Sequence, residues 1–274
     1  MSIDAHFHCW SLARGDYGWL TPALAPIYRD VAVSDWQQQA APHVVEGGVL
    51  VQAAPTEAET AFLLAQADAH ASVLGVVGWV DWLAPDAPAR IEALARHPRL
   101  KGLRPMLQDI ADPRWILQPA LAPALCAMSD GGLVFDALIK PVHLPHLLTL
   151  AGRYPELRIV IDHAAKPDIA AGAWQPWADG MARLASQTTA VCKLSGLLTE
   201  AGPEAAPGVL RPWAAHVLAC FGASRVVWGS DWPVLEMAGS YAQWWAETQS
   251  LLRPLSPLER AAVMGENARQ LYRL

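Results

Sequence analysis

Short apolar segments alternate along the chain with longer segments of mixed polarity. Several of the apolar segments are nearly uninterrupted, as in residues 158–163 (RIVIDH). Runs of this kind are typical of parallel strands that are buried on both faces. The pattern predicts eight strands, over residues 2–10, 44–54, 73–80, 100–106, 133–139, 158–165, 189–196 and 225–231.

The segments between these strands carry signals for helices. Residues 56–71 predict a helix in which Thr56 caps the amino terminus. Glu57 and Glu59 in its first turn complement the helix dipole. A second helix is predicted over residues 88–96, because the proline that follows two residues later disfavours its continuation.

The alternation of strands and helices predicts the fold class. Eight strands with helices between them favour an α/β fold, a (β/α)8 TIM-like barrel of parallel strands with its active site at the carboxyl-terminal ends of the strands. An open, doubly wound sheet is the alternative. The length of 274 residues is typical of one such barrel, so we expect residues 1–274 to form a single domain.

Polar residues follow the apolar part of most predicted strands. They are Gln52, Asp81, Arg104, Asp136, His163, Lys193 and Asp231. A single polar residue at such a position often just leads the chain out of the core. Seven in series indicate a shared site, because the carboxyl ends of all strands in a barrel meet at one face.

Composition excludes several classes of protein. Hydrophobic residues make up 53% of the chain and charged residues 17%, which excludes intrinsic disorder. The formal net charge of −6 offers no basic surface for nucleic acid or for an anionic membrane. The sequence has no apolar run of membrane-spanning length, and from its first residues we expect no signal peptide and a cytoplasmic location. The four cysteines are scattered and form no C-x-x-C pair, which favours reduced thiols.

The pattern His6-Phe7-His8 lies at the end of the first predicted strand. Alternate side chains of a strand point to the same face, so both imidazoles can converge on one metal ion or on one substrate. Asp231 lies at the end of the last strand, which pairs with the first strand in a closed barrel. We therefore expect Asp231 to lie close to His6 and His8, where it can act as a metal ligand, as a general base, or as both.

Three more residues are candidates for the same site. His163 ends the sixth strand and can be a ligand or an electrophile. Arg104 and Lys193 are cations at the ends of apolar strands, and a buried cation needs a partner. They either pair with acids such as Asp136 or bind an oxygen-rich substrate, and both can hold. The chain has no G-x-S-x-G motif, no Walker loop and no G-x-G-x-x-G motif.

These residues belong to motifs that resemble the amidohydrolase superfamily. More narrowly, they resemble its lactonase branch, which includes sugar-lactone hydrolases and pyrone-dicarboxylate lactonase. The motifs occur in order over nearly the whole chain, at residues 3–8 (IDAHFH), 101–104 (KGLR), 135–138 (FDAL), 161–167 (IDHAAKP), 193–196 (KLSG), 229–233 (GSDWP) and 266–268 (ENA).

The resemblance implies a hydrolase that opens a small lactone to its hydroxy acid. It implies that Asp231 activates water with His163 beside it, and that Arg104 and Lys193 bind the substrate. Gln52 and Trp232 are further candidates for binding the substrate. A metal-dependent decarboxylase of the same superfamily is the alternative, and a non-catalytic binding protein is a third.

The resemblance leaves the cofactor open. It implies one divalent metal ion, with zinc as the first choice, held by His6, His8 and Asp231, and His163 is a further candidate ligand. The fifth strand, however, ends without a histidine, unlike that of many metal-dependent members, and some lactonase relatives work without metal. The 13 tryptophans are compatible with apolar ligand contacts and with a homo-oligomer. The lactone itself depends on loops such as residues 11–43 and 197–210.

Overall fold

All eight predicted strands are present in the computed structural model, which describes residues 2–274. They are β1 (Ser2–Phe7), β2 (Val45–Val51), β3 (Val73–Gly78), β4 (Leu100–Leu103), β5 (Val134–Ala137), β6 (Arg158–Ile161), β7 (Val191–Leu194) and β8 (Val226–Trp228). Each strand ends before its predicted boundary on the carboxyl side. The polar residues that follow the apolar cores therefore lie at the very ends of the strands or in the loops after them.

The strands form one parallel sheet in the order β1 to β8. The sheet closes through the residues after β8. The backbone amide of Asp231 donates to the carbonyl of His6 at 2.8 Å, and the amide of His8 donates to the carbonyl of Trp232 at 2.8 Å. The barrel prediction is thus confirmed, and the open doubly wound sheet is wrong.

Helices surround the sheet, and the last of them packs under its amino-terminal end. They are α1 (Val33–Ala40), α2 (Glu57–Ala69), α3 (Ala87–Ala95), α4 (Ala122–Asp130), α5 (Leu144–Arg153), α6 (Gln175–Gln187), α7 (Leu197–Ala201), α8 (Arg211–Phe221), α9 (Tyr241–Leu251), α10 (Pro257–Ala261) and α11 (Asn267–Tyr272). The predicted cap of α2 is present, because the hydroxyl oxygen of Thr56 accepts from the amide of Glu59 at 3.1 Å. Both helices predicted from the sequence agree with the structure to within two residues at each end.

The barrel interior begins with an apolar floor at the amino-terminal ends of the strands. Its fully buried side chains include Ile3, Val49, Val160 and Val227. Helix α11 packs under this floor and contributes Ala268, Leu271 and Tyr272 to the same cluster. A second, larger apolar layer lies between the strands and the surrounding helices. The floor supports the polar residues at the opposite end of the barrel.

None of the helices in residues 2–274 is both long and apolar enough to cross a membrane. The cytoplasmic location, the single-domain boundary and the homo-oligomer stay predictions.

Candidate active site

The strand ends bring most of the predicted polar residues into one cluster at the carboxyl-terminal face of the barrel. Asp81 is the exception. Its side chain is exposed and accepts from the amide of Leu83 at 3.2 Å, so it caps a turn and does not face the barrel axis.

Asp231 lies among three imidazoles. Its Oδ1 atom is 3.3 Å from Nε2 of His8, 3.6 Å from Nε2 of His6 and 3.8 Å from Nε2 of His163. All four side chains are almost fully buried. The expected convergence of an acid and three imidazoles from distant parts of the chain is therefore present.

A register irregularity in β1 decides which of its residues reach this cluster. The pairing of β1 with β2 shifts between Asp4 and Phe7. His6 and His8 both point into the barrel, with their Nε2 atoms 3.2 Å apart, while Phe7 stacks outside on Trp36. Asp4 does not share the face of His6, although it precedes it by two residues. Its carboxylate accepts from the indole of Trp36 at 2.9 Å, outside the barrel.

Asp4 nevertheless supports the site through the backbone. Its Oδ1 atom accepts from the amide of Ser230 at 2.8 Å and from the amide of His6 at 3.2 Å. One buried carboxylate thus ties the end of β1 to the loop that carries Asp231. This role could not be predicted, because a contact between residues 226 positions apart leaves no local signal in the sequence.

The backbone around His163 adopts an uncommon conformation. After β6, the four residues 163–166 all have positive φ angles, between 48° and 61°, and Asp231 has a φ of 59°. This region costs an L-residue about 1–2 kcal/mol. The turn brings His163 against Gly196, where an added Cβ would lie 2.8 Å from the imidazole, so only glycine fits. Both residues that were predicted to be catalytic thus have strained backbone.

The hydrogen bonds of the imidazoles indicate which nitrogens face Asp231. Nδ1 of His8 is 2.7 Å from the carbonyl oxygen of Val51, which can only accept, so this nitrogen carries a proton. Nδ1 of His163 is 2.9 Å from the hydroxyl of Ser195. Both rings therefore direct Nε2 towards the carboxylate. With its proton on Nδ1, His8 presents the lone pair of Nε2 to the carboxylate of Asp231. A cation or an additional proton between these two atoms therefore stabilises the pair.

This donor set fits a metal ion. Ligand atoms of His6, His163 and Asp231 all lie within 4.8 Å of one another, and imidazole nitrogen with carboxylate oxygen suits zinc and similar ions. His8, the other predicted ligand, lies directly beside this triad. The orienting hydrogen bond on Nδ1 of His8 is typical of histidines that bind a metal through the other nitrogen.

The surroundings also set the protonation states. Burial alone would raise the pKa of Asp231, but the charge interaction with His163 and the hydrogen bond with His8 outweigh it and lower this pKa. Burial lowers the pKa of His163 to about 4. Burial, with Lys193 close by, lowers the pKa of His6 well below its usual value. At neutral pH the site therefore combines an ionised carboxylate with His6 and His163 in their neutral forms.

The two cations form a buried ion network beneath the imidazoles. Nζ of Lys193 is 2.5 Å from Asp136 and 2.8 Å from Asp162, and Nη1 of Arg104 is 3.2 Å from Asp162. The hydroxyl of Tyr272 donates to Asp136 at 2.9 Å from the floor side. The sequence left open whether these cations pair with acids or bind substrate. The structure shows that both pair with acids, and that Arg104 also lines the cavity.

A cavity of about 220 Å³ opens above Asp231, His8 and His163. The rest of its wall includes Trp19, Met106, Gln108, Asp109, Leu138 and Lys166. No role at the site was predicted for any of these six, because a short segment of sequence does not show which residues of a strand end or a loop face a cavity. Trp19 comes from the predicted specificity loop 11–43, and its indole donates to the carbonyl of Ala53 at 2.7 Å.

Three residues predicted to bind substrate lie behind this wall. Lys193 and Gln52 are fully buried, and the Gln52 amide donates to the backbone carbonyl of Arg104 at 3.0 Å. The Trp232 indole donates to Glu236 at 2.7 Å. Their contacts shape the wall from behind.

Glu59 holds another part of the wall. Its carboxylate accepts from the amides of Ala53 at 3.0 Å and Ala54 at 2.6 Å, just before α2. Burial raises the pKa of Glu59 to about 7. The sequence predicted only a role in the helix dipole for this residue, whereas the structure shows that it also fixes the loop on which Trp19 rests.

The chain is similar in sequence to amidohydrolases, and among them to two L-fucono-1,5-lactonases. The sequence profile of the amidohydrolase family matches residues 3–274. An L-fucono-1,5-lactonase from Burkholderia ambifaria is 50% identical over 279 residues, covering 99% of this chain and 95% of the relative. An L-fucono-1,5-lactonase from Burkholderia multivorans is 33% identical over 293 residues, covering 100% and 96%.

The chain is also similar to proteins of known structure. An amidohydrolase from Burkholderia multivorans, crystallised with bound zinc, superimposes with a TM-score of 0.94 at 32% identity, over 100% of this chain and 99% of the other. Decarboxylases of known structure share the fold with TM-scores of 0.69 at 14–16% identity, a similarity that concerns the fold alone.

Proposed function

The chain belongs to the amidohydrolase family, and from this premise we propose that it hydrolyses a sugar-acid lactone to the open hydroxy acid. The observation that carries the proposal is the ionised Asp231 among three imidazoles at the base of the cavity. The similarity to two L-fucono-1,5-lactonases supports a six-membered sugar lactone as the substrate.

Asp231 acts as the general base. Its lowered pKa keeps it ionised throughout the neutral range, so it is always in the form that accepts a proton. Water held beside Oδ1 attacks the lactone carbonyl carbon, and its proton passes to Asp231 as the new C–O bond forms and the attacking oxygen becomes acidic. The carboxyl group then returns this proton to the ring oxygen as the C–O bond of the ester breaks.

Arg104 and His163 act on the carbonyl oxygen. Both line the cavity next to Asp231, where Arg104 can stabilise the negative charge that develops in the tetrahedral intermediate, and where the Nε2–H group of His163 can do so as long as no metal ion is bound to that nitrogen. Lys193 lies one layer deeper and holds Asp162 and Asp136 in place. A lactone needs less assistance than an amide, because an alkoxide is a better leaving group than an amine anion.

We propose that one divalent ion, with zinc as the first choice, is held by His6, His163 and Asp231, with His8 as a further ligand. When bound, such an ion polarises the carbonyl and lowers the pKa of water.

The test is a pH-indicator assay with L-fucono-1,5-lactone, run with the purified protein before and after treatment with a chelator. We expect Asp231→Asn to lower kcat by at least about 1,000-fold, since the base is lost while size and packing are kept. Asp81→Asn is the matched control, because Asp81 also follows a strand but is exposed and faces away from the cluster. Near-normal hydrolysis by Asp231→Asn would overturn the assignment of the base.

The alternative reaction, decarboxylation, is checked on the same preparation. Release of carbon dioxide from aromatic or unsaturated acids, without hydrolysis of any sugar lactone, would show that the protein is a decarboxylase and not the proposed lactonase. Binding of lactones without turnover would instead support a non-catalytic protein. Chelation that abolishes activity, with recovery on addition of zinc, would support the metal.

A further inference from the structure

Two polar atoms of the cavity wall have no hydrogen-bond partner within residues 2–274. They are Oε1 of Gln108 and Nε of Arg104, and both are shielded from solvent. Both residues line the cavity and belong to the loop that follows β4. Buried polar groups are nearly always hydrogen-bonded in folded proteins, so an unpaired acceptor and an unpaired donor in a binding cavity indicate where a ligand binds.

The position of the Gln108 amide is set by its neighbours. The backbone amide of Gln108 donates to the carbonyl of Leu138 at 3.0 Å, which ties this loop to the one after β5. The side-chain nitrogen is 3.4 Å from the carboxylate of Asp109, which can only accept. The amide oxygen is therefore the free atom, and it offers an acceptor to a ligand.

The charges of the wall favour a neutral ligand. Its two cations are already paired, Arg104 with Asp162 at 3.2 Å and Lys166 with Glu200 at 2.6 Å. A substrate carboxylate would compete with these acids for each cation and would meet Asp109 beside Gln108. A hydroxyl group, which both donates and accepts, matches the free acceptor of Gln108 and the free donor of Arg104 without any change in charge.

We propose that Gln108 determines specificity by accepting a hydrogen bond from a ring hydroxyl, so that the enzyme selects neutral, polyhydroxylated lactones. This inference rests on the proposed function and deepens it. It separates sugar-acid lactones from unsubstituted lactones of the same ring size and from lactones that carry carboxylates.

The experiment compares two six-membered lactones, L-fucono-1,5-lactone and δ-valerolactone, which has the same ring but no hydroxyl groups. We expect wild-type kcat/KM to favour the sugar lactone by at least about 100-fold, because the analogue leaves the wall groups unpaired. Gln108→Met keeps the length of the side chain and removes the acceptor. It should lower kcat/KM for the sugar lactone by about 10- to 100-fold and change the value for δ-valerolactone less than about 3-fold.

Met106→Leu is the control, because it alters the shape of the same wall without removing a hydrogen bond. It should affect both lactones to the same extent. If Gln108→Met does not fold, as judged by circular dichroism, Gln108→Asn withdraws the amide by one methylene and gives the same comparison.

The outcomes distinguish the inference from the proposed function. If the wild type hydrolyses neither lactone, the proposed function fails. If it hydrolyses both equally well, or if the Gln108 variant lowers both values by the same factor or neither, then the lactonase function stands and the role of Gln108 is refuted.

Discussion

The two halves of the barrel interior are built from the same strands but differ in chemistry. The lower half is aliphatic, with Val160 and Val227 packed over α11. The upper half is ionic, with Lys193 and Asp162 buried to the same degree a few residues further along the strands. The lower half is stabilised by the burial of apolar side chains. In the upper half, the desolvation cost of the buried charges is offset because each charge has a partner. Stability and chemistry are thus separated along the barrel axis.

The largest expected effect comes from unpairing the upper half. Lys193→Met leaves Asp136 and Asp162 buried without the cation between them, which should cost about 3–5 kcal/mol of unfolding free energy. The double variant Lys193→Met with Asp136→Leu removes the pair together and should lie much closer to wild type, since an apolar pair can replace an ion pair. Urea unfolding measures both. Equal losses in the two variants would show that pairing is not what stabilises this half.

The next effect is a pH dependence at the rim. Burial raises the pKa of Glu59 from 4.5 to about 7. Between these two pH values, the folded state therefore holds a proton on Glu59 that the unfolded state has released. The contribution of Glu59 is therefore present below its unfolded pKa and is lost as the pH rises through about 7. It amounts to at most about 3 kcal/mol. We expect the difference in unfolding free energy between wild type and Glu59→Gln to change over this range, and a constant difference would contradict the shift.

A smaller effect is expected from the floor. Val227→Ala removes two methyl groups from a fully buried position on β8 and should cost about 2 kcal/mol. Because the residue lies four positions before Asp231, it tests whether the halves are independent. We expect kcat for lactone hydrolysis to stay within about 2-fold of wild type. A large fall in kcat would show that the floor also positions the site.

The smallest effect concerns the one hydroxyl group that joins α11 to the ion network. Tyr272→Phe removes the hydrogen bond to Asp136 and keeps the ring in the floor. We expect the free energy of unfolding, measured in urea, to fall by about 1 kcal/mol. This is slightly less than the usual contribution of a buried hydrogen bond to a charged group. A loss as large as that of Lys193→Met would mean that the network depends on the floor.

Much of this site could be predicted from local signals. The apolar runs and their polar ends located His6, His8, His163 and Asp231, because period-two alternation and strand termini are properties of short segments. The register irregularity in β1 could not be predicted, and it turned Asp4 away from the barrel. The sixth strand was predicted too long for a similar reason, since the left-handed turn at residues 163–166 packs against Gly196, a residue distant along the chain.

The sequence by itself determined the barrel, its order of strands and the residue types at its rim, since these follow from hydrophobic periodicity and chain connectivity. Only the tertiary structure decided the partner of each charge and the residues of the wall. Lys193 became a buried member of an ion network, while Gln108 and Trp19, from loops without periodicity, came to line the cavity. The physical reason is that burial and pairing are set by contacts between segments distant along the chain.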